Sequence, residues 1–95
     1  MMPIRWSQRA VDDLQNIHTF IARDSEIYAL RVVQELIKAV EQLVEHPNSG
    51  RLVPERSAAD LRELIRPPYR IVYRQAKDQI QIITVFHSSR VLRLE

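Results

Sequence analysis

Apolar residues at Ala10, Leu14, Ile17 and Ile21 recur every three or four positions, with Asp12, Asp13, Gln15 and Asn16 on the opposite side. That is the period of a helix with one face turned to a core. Ser7 stands just ahead of it, where a hydroxyl can accept a bond from the first helical turn. Ile4-Arg5-Trp6 alternates apolar and polar and predicts a short strand. After a break at Arg23-Asp24-Ser25, a second stripe runs through Ala29, Val33, Leu36, Val40 and Leu43, widened by Val32, Ile37 and Val44. Two helices with so short a connection predict an antiparallel hairpin. His46-Pro47-Asn48-Ser49-Gly50 ends the second helix, and Gly50, the only glycine, sits where a turn needs a permissive backbone.

The period then changes. Leu61–Ile65, Tyr69–Arg74 and Ile80–Phe86 predict three strands, separated by Pro67-Pro68 and by a tight turn at Lys77-Asp78. Val53 to Asp60 reads as a connection. The expected fold is α+β over a single domain, residues 1–95, in the order β-α-α-β-β-β. The helical hairpin packs on one face of a small, mainly antiparallel sheet. A two-residue loop at Lys77-Asp78 pairs Tyr73 with Ile82, Ile71 with Thr84 and Tyr69 with Phe86. The other face then pairs Arg74 with Gln81, Val72 with Ile83 and Arg70 with Val85. In that register the helices take the Tyr/Ile/Phe face, and Arg70, Arg74, Gln81 and His87 share the open one. A slip of one residue would separate Arg70 from His87.

Composition narrows the class. Ninety-five residues, 45% of them hydrophobic, support one packed domain. No apolar run approaches the ~20 residues of a membrane span, and the N-terminus lacks the apolar stretch of a secretory signal. A cytoplasmic protein without membrane contact is expected. With no Cys and three scattered His, neither a disulfide framework nor a metal site is expected, and no cofactor is implied.

Charge adds a direction. Residues 1–50 carry five Lys/Arg against seven Asp/Glu, whereas residues 51–95 carry nine against five, and twelve of the fourteen basic residues are Arg. Arg suits bidentate pairing with carboxylate or phosphate. Arg62, Arg66, Arg70, Arg74 and His87 on the strands, with Arg90 and Arg93 near the C-terminus, are therefore the expected contact face for an anionic partner. A solvated Arg-rich surface is the plain alternative. Neither helix carries the run of Arg expected of a groove-reading DNA-binding helix.

These residues form a familiar ordered set. Trp6-Ser7, Ala10, Asp13-Leu14, Ile17, Ile21-Ala22 and Asp24 come first, then Pro47, Gly50-Arg51 and Val53-Pro54. Leu61-Arg62-Glu63-Leu64, Tyr69-Arg70-Ile71-Val72-Tyr73 and Val85-Phe86-His87-Ser88-Ser89-Arg90 follow. Over nearly its whole length the chain resembles the ParE/RelE superfamily of toxins from bacterial type II toxin–antitoxin systems. The resemblance implies a cognate antitoxin of ParD or RelB type as partner, with DNA reached only indirectly through that antitoxin. It makes Val32, Leu36 and Val40 candidates for the groove that receives an antitoxin helix.

The superfamily implies two activities: RelE-like members cleave mRNA at the ribosome, and ParE-like members poison DNA gyrase without being nucleases. RNA cleavage needs a proton acceptor, cations against the phosphate and a proton donor for the leaving oxygen. One nuclease subset uses several lysines, whereas only Lys38 and Lys77 occur here. Another uses a Glu, an Arg, a His and a C-terminal Tyr. Arg70 and His87 match the Arg and His, and Glu55 loosely matches the Glu. Ser88 stands where that subset has Tyr, and no Tyr follows Tyr73. The Gly50-Arg51 turn and the His87-Ser88-Ser89-Arg90 ending look more like ParE members. The expectation is therefore a gyrase inhibitor with no catalytic residue, the alternative being a ribosome-dependent endonuclease built on Arg70, His87 and Glu55. Under the first reading His87 is a structural strand-end residue, and Arg70 either orients a phosphate or pairs with Glu63.

Overall fold

The structure is a computed structural model that describes residues 2–56 and 60–94. Its elements are β1 (Ile4–Trp6), α1 (Gln8–Ala22), α2 (Glu26–Glu41), a 3₁₀ turn (Gln42–Val44), β2 (Arg51–Leu52), β3 (Leu61–Arg66), β4 (Tyr69–Gln75) and β5 (Ile80–His87). The sheet order is β1-β5-β4-β3-β2; β1 lies parallel to β5 and every other pairing is antiparallel. The expected α+β architecture is present, with one addition: the two-residue β2, which extends the sheet beside β3.

Each helix starts on a serine. Ser7 Oγ accepts the Ala10 N–H at 3.0 Å and donates to the Ile83 carbonyl at 2.8 Å, so one residue caps α1 and fastens it to β5. Ser25 Oγ accepts the Tyr28 N–H at 3.1 Å and begins α2. Asp13, one turn into α1, accepts from the Val85 N–H at 2.9 Å and from Thr84 Oγ1 at 2.5 Å. It thereby covers backbone of β5 beyond the end of β1, which a sheet edge would otherwise leave to water.

The hairpin packs its apolar stripe on one sheet face. Ala10, Leu36, Ala39, Val40 and Leu43 meet Leu64, Tyr69, Ile71, Tyr73, Ile80, Ile82 and Val85 in one core cluster. Burying side chains such as Leu36 or Ile71 stabilises the fold by about 1.5–3 kcal/mol each. Tyr73 closes this core at one end. Its hydroxyl accepts the Gly50 N–H at 2.9 Å and donates to the Pro47 carbonyl at 2.8 Å. Burial raises the Tyr73 hydroxyl pKa above the ordinary tyrosine range. A Cβ on Gly50 would stand 2.7 Å from both the Glu63 carbonyl oxygen and the Tyr73 hydroxyl, so the turn needs glycine for space.

The register follows expectation only near the turn. Lys77-Asp78 does form the tight connection, Ala76 N–H bonding the Gln79 carbonyl at 2.8 Å, and Arg74 pairs with Gln81 and Tyr73 with Ile82. A bulge then skips Ile83, so Val72 pairs with Thr84, Ile71 with Val85, Arg70 with Phe86 and Tyr69 with His87. The expected pairs Ile71–Thr84, Tyr69–Phe86, Val72–Ile83 and Arg70–Val85 do not form. The one extra residue turns Val85 toward the helices and Phe86 away from them. It also moves His87 to the Tyr69 side of the sheet, opposite Arg70.

The second face is not open. Val53, Leu61, Val72 and Leu92 form a separate buried cluster, joined by Ile83, Phe86 and Leu94. Val53, just after β2, and Leu92 and Leu94 of the C-terminal tail cover this face, which explains why Val72 and Leu61 are apolar on the side away from the helices.

Candidate functional site

Under that tail lies a row of alternating charges: Arg51, Glu63, Arg70, Glu55. Arg70 is 7% exposed and Glu63 1%. The Arg70 guanidinium donates Nε–H to Glu63 Oε1 at 2.6 Å and meets Glu55 with two parallel bonds, to Oε2 at 2.8 Å and to Oε1 at 2.6 Å. Glu63 Oε2 accepts from Arg51 Nε at 2.6 Å, and Glu55 Oε2 also accepts the Leu92 N–H at 3.0 Å. The Arg70 guanidinium stands 4.8 Å over the Phe86 ring. Two carboxylates therefore neutralise one guanidinium from both sides, and the tail is tied to the pair through Leu92.

The electrostatics follow from those bonds. Hydrogen bonds from Arg70, then from the Leu92 N–H, hold the Glu55 carboxyl down to about 2, well below the usual range, against the opposing pull of desolvation. The two carboxylates push Arg70 further above its already high value, Glu55 contributing first. A carboxylate with so low a pKa is a weak proton acceptor at neutral pH.

The sequence-derived candidates divide accordingly. Arg70 and Glu55 come together, and Arg70 takes the Glu63 pairing rather than presenting itself to solvent. His87 does not join them. It is exposed on the other side of β5, its ring edge-on to Tyr69 at 5.8 Å, with Nδ1 held by the Ser89 N–H at 3.1 Å and Ser89 Oγ at 2.8 Å. Accepting an N–H fixes Nδ1 as unprotonated in the neutral ring, which leaves the hydrogen on Nε2.

The expected single face of cations is likewise split. Arg62 and Arg66 pair with Tyr73 and Tyr69 and share their side of the sheet, whereas Arg70 and Arg74 lie on the other. Arg62 donates to the Gly50 carbonyl at 2.8 Å, and Arg74 bonds the Gln81 side chain at 2.7 Å. Arg62 forms no ion pair with Glu63. Arg90 and Arg93 are exposed on the tail, and the Arg90 carbonyl lies 3.5 Å from Arg70. Of the groove candidates, Val32 is half-buried at the surface, but Leu36 and Val40 are 2% and 1% exposed and belong to the core. The sequence reading missed Arg51 as the second partner of Glu63 and the tail as a cover. Leu92 and Leu94, apolar at alternate positions beyond β5, were the available signal.

Among the described residues no group of three or more His, Cys, Asp or Glu is arranged to hold a metal ion, and no helix is long and apolar enough to cross a membrane.

Comparison with known proteins agrees with this fold. The chain is 36% identical over 92 residues to toxin RelE2 of Caulobacter vibrioides, covering 96% of this chain and all of that protein. It is 40% identical over 85 residues to the putative toxin Y4kP of Sinorhizobium fredii, covering 90% of this chain and 86% of the relative. Among solved structures, a chain of the chromosomal ParDE toxin–antitoxin system from P. aeruginosa superposes with a TM-score of 0.75 at 27% identity, over 92% of this chain and 96% of its own. A chain of the toxin–antitoxin complex RelBE2 from Mycobacterium tuberculosis shares the fold, with a TM-score of 0.67 at 21% identity over 90% and 96% of the two chains. The family described as ParE toxin of type II toxin–antitoxin system, parDE, matches residues 4–92. The chain belongs to that family, and it is the toxin of a type II toxin–antitoxin system.

Proposed function

We propose that the free toxin inhibits DNA gyrase by protein–protein contact, and that its antitoxin neutralises it by occupying its surface. The observation that carries this reading is the fate of the three residues on which a nuclease would be built. Arg70 is saturated by two carboxylates, Glu55 is held ionised by Arg70, and His87 lies on the opposite side of the sheet. An in-line attack by a 2′-hydroxyl needs an acceptor, a donor and a cation converging on one phosphate. These side chains do not converge. ATP and Mg²⁺ would belong to the gyrase reaction, not to the toxin.

Ribosome-dependent mRNA cleavage is the second reading, favoured by the RelE2 relative. It would require other residues, or release of the tail and rearrangement of the network. Purified toxin added to gyrase supercoiling and to ribosomes programmed with mRNA separates the two. Loss of supercoiling with intact message is expected. Cleavage in the A-site codon with normal gyrase would overturn the proposal. In that case His87→Gln should slow cleavage about 10²-fold or more if the imidazole does acid–base work.

A further inference from the structure

A cleft of about 200 Å³ opens between α2, which contributes Arg31, Val32 and Leu36, and the β3–β4 turn, which contributes Arg66, Pro67 and Tyr69. Its floor is apolar, because Val32, Leu36 and Tyr69 belong to the edge of the main core. Pro67 and Pro68 are ring-constrained, so this wall is stiff before anything binds. Tyr28, 55% exposed, is a large apolar surface left in water on the helix side.

Cations face each other across it. Arg31 comes from α2 and Arg66 from β3, and neither is within ion-pair distance of a carboxylate among the described residues. Arg66 donates one N–H to the Ile65 carbonyl at 2.9 Å and has only a 3.5 Å contact to the Gln42 side chain. Its remaining donors are available. Glu35 is the single carboxylate of the lining, so the cleft is net positive. This contrasts with Arg51 and Arg70, whose charges the protein satisfies internally. A stiff apolar pocket between two uncommitted guanidinium groups fits one bulky apolar side chain with carboxylates next to it in sequence.

We propose that this cleft receives an apolar anchor residue of the antitoxin, flanked by acidic residues that pair with Arg31 and Arg66, and so helps to set which antitoxin the toxin accepts. The proposal rests on the antitoxin being the partner that covers this surface. Of the groove candidates, Val32 and Leu36 line this cleft, whereas Val40 lies in the core outside it.

Isothermal titration of the full-length toxin with its cognate antitoxin tests it, using wild type, Arg31→Glu/Arg66→Glu, and Arg9→Glu as a control cation on α1. The double reversal should weaken binding about tenfold or more, and flatten its dependence on salt, while Arg9→Glu stays near wild type. Thermal melts by circular dichroism confirm that the variants fold, since the reversed side chains lie at the surface. A double variant within twofold of wild type would overturn the proposal. So would binding of a short single-stranded RNA that the double reversal abolishes while antitoxin affinity is untouched. Wild-type toxin that fails to bind the antitoxin at all would overturn the partner assignment itself, a separate result.

Discussion

Replacing Arg70 by Met removes the centre of the buried charge row while keeping much of the side chain's volume. Glu63, with a fully buried side chain, would then keep only Arg51, whose side chain is 60% exposed. Glu55, with 23% of its side chain exposed, would keep the Leu92 N–H and gain water. Removing one partner of a buried pair costs about 3–5 kcal/mol, and the residual partners place this case near the lower bound, about 3 kcal/mol. Loss of the guanidinium from the face of Phe86 adds about 0.5–1 kcal/mol. For a domain of this size that total, about 3.5–4 kcal/mol, is a fall in Tm of about 14–32 °C. Urea unfolding followed by circular dichroism measures it. The combined variant Glu55→Gln/Glu63→Leu/Arg70→Met should cost much less than the sum of its parts, because it removes the desolvated charges together. A loss below about 1 kcal/mol for Arg70→Met would refute the reasoning: a guanidinium so easily dispensed with is not locked in structure, and it becomes available for surface chemistry.

Three further outcomes are expected. Gly50→Ala should destabilise by about 1–3 kcal/mol in the same urea assay, since the new methyl meets a backbone carbonyl and the Tyr73 hydroxyl at 2.7 Å. Asp13→Ala should cost about 1–3 kcal/mol and speed hydrogen exchange at the Val85 amide, whose acceptor it removes. Glu55 has a folded pKa lowered to about 2, so its stabilisation is fully present above its unfolded value near 4.5 and is lost as pH falls toward 2. Glu55→Gln should therefore flatten the decline of Tm with acid between those limits, and an unchanged slope would contradict the assignment.

Much of the fold is legible in the chain because its two periods are clean. Stripes of four and five apolar residues gave both helices, Ser7 marked the first start, and Lys77-Asp78 marked the hairpin and the pairs next to it. The bulge was not legible. Ile82-Ile83-Thr84-Val85 is a run of β-branched residues with no polar alternation to show which one the ladder skips. That single residue decides where His87 points, so the candidate site was misjoined by a purely local feature. The covered second face had a signal in Val72 and Ile83, apolar at positions read as open, and in Leu92 and Leu94 beyond the last strand. The charge row was half visible, as the possible Arg70–Glu63 pair. Its other half depends on a loop and a tail that no periodicity places.

The most direct measurement is a titration of free toxin into a gyrase supercoiling reaction, with toxin already bound to its antitoxin run alongside. Supercoiling should fall with rising free toxin and be restored when antitoxin is added at the ratio that saturates the complex. Undiminished supercoiling with stoichiometric active toxin, accompanied by cut message on translating ribosomes, would contradict the account.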